Sequence, residues 1–157
     1  MSLNITNMKK QIYLLITAAC ILATCAKKES ESTTVVESDA QPGSECYAYT
    51  TEKDSAFLHI EVTADSIVTG DLEYNLFEKD QNRGKIDGKI HGDTLLANYK
   101  FMSEGVESTR EVAFLKKDEN WVEGFGPVGE KNGAMLFSDR SKLDFAKGLV
   151  FKTAACP

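Results

Sequence analysis

The chain has 157 residues, with 18 Lys and Arg against 24 Asp and Glu for a net charge of −6, four cysteines, three prolines and 42% apolar residues. That length accommodates one ordinary domain, and the apolar fraction excludes both wholesale disorder and a multi-span membrane protein. The acidic balance, without a Lys/Arg-dense stretch, excludes nucleic-acid binding that works by neutralising phosphates. Two histidines, no Cys-x-x-Cys, no P-loop and no Gly-x-Ser-x-Gly leave the common catalytic signatures unfilled, so the expectation is a protein that is not an enzyme and takes no metal or cofactor.

In chain order, the first element is an export signal. Met8-Lys9-Lys10 precedes an apolar run from Ile12 to Ala23, interrupted at Thr17. A positive start and a run well short of the ~20 residues that span a bilayer predict a cleaved signal peptide over residues 1–24.

The end of that run, Leu22-Ala23-Thr24-Cys25, resembles the lipobox of bacterial lipoproteins, with Thr24 standing where Gly, Ala or Ser is usual. The resemblance implies cleavage before Cys25 and lipidation of its thiol. A competing cut before Cys20 would use Thr17-Ala18-Ala19. Several acyl chains, each methylene contributing about 0.8 kcal/mol when buried, would hold such a protein on a membrane nearly permanently. Residues 25–45 are polar, charged and aperiodic, and read as a lipid-anchored flexible linker. Lys27-Lys28-Glu29 also resembles the charged export tag of surface-exposed Bacteroidota lipoproteins, which leaves cell-surface and periplasm-facing placements both open.

Loss of Cys20 with the signal and use of Cys25 for lipid leave Cys46 and Cys156. In an oxidising compartment these two are expected to form a disulfide that brings the first and last elements of the domain together.

From Cys46 the hydrophobic pattern has period two, the mark of half-buried strands. Ala56, Leu58, Ile60 and Val62 alternate with Phe57, His59, Glu61 and Thr63, and Val68, Gly70, Leu72, Tyr74 and Leu76, then Gly84, Ile86, Gly88 and Ile90, alternate with polar positions. The polar tract 78–83 reads as a turn, and Gly92-Asp93 as a tight hairpin into Leu95, Ala97, Tyr99 and Phe101. Further strands are expected at about 107–116, 120–126, 133–137 and 148–155, with residues 141–147 forming a helical turn at most. The fold class is therefore all-β: an antiparallel meander of about eight strands over residues 46–157. An up-and-down barrel is its most economical closure, since closure removes exposed strand edges; an open sandwich is the alternative. Glycines 70, 84 and 88 suit tightly coiled strands.

Val68-Thr69-Gly70-Asp71-Leu72-Glu73-Tyr74, Gly88-Lys89-Ile90-His91-Gly92-Asp93-Thr94-Leu95, Tyr99-Lys100-Phe101-Met102-Ser103-Glu104-Gly105 and Val122-Glu123-Gly124-Phe125-Gly126 resemble a family of small Bacteroidota lipoproteins. The resemblance covers nearly all of the domain; it implies an outer-membrane or surface address and supplies no active site. In outline the domain is also similar to the calycins, though the Gly-x-Trp of lipocalins is missing, so the likeness is one of architecture.

Strand parity selects candidate ligand-binding residues. Arg110 shares its parity with Val112 and Phe114, and a guanidinium facing the interior needs a carboxylate or a ligand anion. Tyr74 and Tyr99 fall on inward parity, and Trp121, the single tryptophan, is grouped with them. Against these stands the simpler reading of aromatic plugs and an Arg that reaches to solvent. His59 and His91 fall on outward parity, away from any metal-like cluster. Asp54-Ser55-Ala56, Asp65-Ser66-Ile67 and Asp93-Thr94-Leu95 resemble the O-glycosylation sequon of exported Bacteroidota proteins, which makes Ser55, Ser66 and Thr94 candidate glycan sites; the same pattern also suits turns that lead into strands. The functional expectation is a lipid-anchored envelope barrel that binds a small ligand. The alternative is an interaction or inhibitor module that contacts an envelope protein through loops 78–83 and 126–133.

Overall fold

The computed structural model describes residues 43–157; the expected signal peptide, the lipidation site Cys25 and the linker up to residue 42 lie outside the described residues. Ten strands follow in order: β1 (Gly43–Thr50), β2 (Ser55–Val62), β3 (Ile67–Asn75), β4 (Asn82–His91), β5 (Thr94–Ser103), β6 (Val106–Lys117), β7 (Asn120–Gly124), β8 (Val128–Lys131), β9 (Ala134–Phe137) and β10 (Val150–Ala154). A single 3-10 turn, Arg140–Lys142, lies between β9 and β10. β1 opens at Gly43, so the last three residues of the expected linker are already strand.

Eight of these strands close into an antiparallel barrel. Each of β1 to β6 pairs with the next, β10 pairs with both β7 and β1, and the contact between β5 and β6 joins what would otherwise be the two ends of the sheet. Around the ring the strands alternate up and down in sequence order, and closure excludes the open sandwich. The Cys46–Cys156 disulfide forms where β1 meets the end of β10, with Cα atoms 5.2 Å apart.

The period-two pattern explains the pairing, because one face of every strand must be kept from water and a one-residue slip would expose it. The interior is filled by Leu58 and Ile60 of β2, Val68 and Leu72 of β3, Ile86 of β4, Leu95 and Tyr99 of β5, Phe114 of β6 and Phe151 of β10, all essentially inaccessible. An eight-stranded ring is just wide enough to be filled by side chains, and here it is. A side-chain carbon on Gly84 would fall 2.0 Å from the carbonyl oxygen of Lys100, so glycine permits the close approach of β4 to β5.

Between β7 and β10 the chain leaves the barrel wall. β8 and β9 form an external hairpin, and β9 runs parallel to the first half of β6 through Thr109↔Ala134 and Arg110↔Met135. The expected loop 126–133 is thus half strand, an element whose alternation is too weak to read from one apolar residue, Val128. The hairpin is pinned by Glu111, an outward residue only 8% exposed. Its carboxylate accepts the Phe137 N–H at 3.0 Å and pairs with Arg140 Nη2 at 2.6 Å. Two-residue turns at Glu104-Gly105 and Asn132-Gly133 have both residues at positive φ, the geometry that matches the twist of paired strands.

Candidate functional site at the barrel mouth

Adjacent strands run in opposite directions, so the ends of β3, β5 and β7 share one rim with the starts of β4, β6 and β10. At this rim the filled interior gives way to a cavity of about 390 Å³, within the size range of small-molecule sites. Its polar wall is made by Tyr74, Asn82, Arg110 and Glu123, while Phe125 and Leu149 contribute apolar surface. Lys79 and Asp80 stand at the lip, on the loop between β3 and β4.

Arg110 points inward, as its parity predicts, but among the described residues it forms no ion pair with a carboxylate. Aromatic rings surround it instead. Its guanidinium carbon lies 5.2 Å from the ring centre of Tyr74 and 5.4 Å from those of Tyr99 and Phe101, where the negative ring faces stabilise a cation. Tyr99 and Phe101 are stacked at 4.7 Å, and the Tyr99 hydroxyl donates to the Leu72 carbonyl at 2.9 Å. Tyr99 is therefore a floor for Arg110 and does not line the cavity.

Glu123 completes the wall and was not singled out by sequence. It is 4% exposed, and its Oε1 accepts a hydrogen bond from the Tyr74 hydroxyl at 2.7 Å. Burial pushes its carboxyl above the ordinary range, while the Tyr74 bond and the positive charge of Arg110 pull it back. Burial likewise pushes the Tyr74 hydroxyl well above its ordinary value, so it remains a neutral donor. Backbone bonds fix Glu123 in turn: its N–H donates to Leu149 at 2.9 Å, and a side-chain carbon on Gly148 would collide with its carbonyl oxygen.

Two buried polar atoms of these lining residues lack a hydrogen-bond partner: Arg110 Nε and Asn82 Oδ1. Buried polar groups are nearly always paired, and one left open costs about 1–3 kcal/mol. Asn82 also lay outside the sequence-based candidates, inside the tract read as a turn; the turn is shorter, and Asn82 opens β4.

Trp121 is not part of this wall. It is buried toward the end of the barrel where β6 turns into β7, edge-on to Tyr47 with ring centres 6.5 Å apart and beneath Lys116 Nζ at 4.9 Å. His59 is on the outer face, with Nε2 2.9 Å from Ser44 Oγ and Nδ1 3.4 Å from Asp71 Oδ2, and His91 is exposed. Ser55 and Thr94 begin strands, Ser66 sits in a turn at φ 60°, and all three are half-buried. No family model, curated protein or solved structure matches this chain.

Proposed function

We propose that the chain is a lipid-anchored protein of the cell envelope whose barrel holds a small ligand in its mouth without transforming it. The observation that carries the binding role is that two residues lining one cavity, Arg110 and Asn82, each keep a buried polar atom without a partner, Nε and Oδ1. A ligand that supplies an acceptor and a donor to these residues would give both a partner. The envelope address is supported by the Lys9-Lys10 start, the apolar run and the lipobox-like Leu22-Ala23-Thr24-Cys25.

Two experiments test the halves separately. Melting of the purified full chain against a library of small carboxylates, amines, amino acids and sugars is expected to yield stabilising compounds whose effect is lost in Arg110→Gln. A library that leaves the melt unmoved would remove the binding role. Metabolic labelling with a radioactive fatty acid is expected to mark the wild type and Cys20→Ser but not Cys25→Ser; label retained in Cys25→Ser would remove the anchor at that residue.

A further inference from the structure

We infer that the ligand of the mouth cavity is a free α-amino acid with an apolar side chain, bound as the zwitterion. This rests on the binding role proposed above and goes further by deriving the ligand from the unmet bonds of the wall.

The wall presents the Arg110 guanidinium, which makes no hydrogen bond to a described residue, together with Asn82, whose Oδ1 lacks a partner, and the Glu123 carboxyl; Ser103 lies beside them, and Lys79 and Asp80 stand farther out at the lip. Arg110 and Glu123 both line the cavity, yet no ion pair joins them. A simple anion would satisfy Arg110 but set a second negative group near Glu123 and leave Asn82 without a donor. A simple cation reverses the fault, since it leaves Arg110 open and adds positive charge beside it. An ammonium and a carboxylate on one carbon meet every demand at once: the carboxylate accepts from Arg110, and the three N–H donors serve Glu123 and Asn82. A peptide separates those two charges by at least one residue, so a single amino acid is the match. Phe125, half exposed, and Leu149 supply the apolar surface for its side chain. Arg110 is held over three aromatic rings and Glu123 by Tyr74, so both charges are oriented before any ligand arrives.

Titration calorimetry on the full chain tests this with the twenty common amino acids, 4-methylpentanoate, which is leucine without its amine, and leucinamide, which lacks the carboxylate. At least one apolar amino acid is expected to bind, with 4-methylpentanoate and leucinamide each weaker than leucine by about thirtyfold or more. Glu123→Gln should lose the preference for leucine over 4-methylpentanoate, and Arg110→Gln the preference over leucinamide. These are changes in selectivity that a general loss of stability would not produce. If 4-methylpentanoate or leucinamide binds the wild type as tightly as leucine, or if no amino acid binds at millimolar concentration, the inference is overturned. The broader binding role then stands or falls on the library screen alone. Should either variant fail to fold, the wild-type ligand series decides the matter by itself.

Discussion

The Tyr74 hydroxyl donates to Glu123 Oε1 at 2.7 Å, joining β3 to β7 between residues 49 positions apart in the chain. Neither strand is the other's neighbour in the barrel, so the bond spans the lumen at its mouth. It gives a carboxylate that is almost wholly removed from water the partner it requires.

Tyr74→Phe keeps the ring and removes that bond. The variant should lose about 1–3 kcal/mol of stability, the usual cost of an unpaired buried group. Urea denaturation at pH 7 measures it; a loss indistinguishable from zero would mean that Glu123 finds water or another donor.

Glu123 also sets a pH dependence of definite sign. Its folded carboxyl lies above the ordinary value of 4.5 because of burial, so between the unfolded and folded values the native state holds a proton that the unfolded chain releases. Its contribution is complete below pH 4.5 and withdrawn as pH rises through the folded value. Asp71, held below its ordinary value first by the hydrogen bond from Lys85, acts in the opposite sense and loses its contribution as the solution is acidified. The comparison that isolates Glu123 is therefore Glu123→Gln against wild type. The variant should gain relative stability from pH 4.5 upward, and a flat difference curve from pH 4 to 8 would contradict the assignment.

Glu111 fastens the external hairpin. In Glu111→Ala the Phe137 N–H and the Arg140 guanidinium lose their acceptor, at an expected cost of about 1–3 kcal/mol. Arg140 is well exposed and rehydrates readily, so Arg140→Ala should hurt mainly by leaving the buried Glu111 charge uncompensated. Limited proteolysis should cut Glu111→Ala within residues 126–149 before the barrel itself; cleavage elsewhere first would show that the hairpin is held by other contacts.

The disulfide should matter most under denaturing conditions. For a bridge across 110 positions the chain-entropy model gives about 4–5 kcal/mol. The double variant Cys46→Ser/Cys156→Ser should show a urea midpoint lowered accordingly, and reductant should lower that of the wild type to match. If reductant has no effect on the wild-type midpoint, the bridge adds nothing to its stability.

The alternation from Ala56 to Phe101 makes most of the barrel legible in the sequence, because each strand exposes one face and buries the other. Parity also placed Tyr74, Tyr99 and Arg110 inside. What parity cannot give is height along the strand, which is why Trp121, correctly inward, belongs to the far end, and Tyr99 to the floor. Glu123 carried a usable signal, as it shares parity with Trp121 two residues earlier and so had to face the same lumen. Asn82 carried less, since a polar residue at the edge of a polar turn shows nothing of its burial. The missed strand β8 also left a trace: Asn132-Gly133 is a strong hairpin signal, and a hairpin needs a partner on its N-terminal side.

The position of the Cys46–Cys156 bridge bears on how the molecule carries tension. Cys46 lies three residues after the first described residue and Cys156 one before the last described residue. A pull applied between the two ends runs through a covalent bond and bypasses everything from Tyr47 to Ala155. Stretched along its own chain, the oxidised domain would load only the opening residues of β1, where they pair with the end of β2, and would leave the mouth cavity mechanically unloaded.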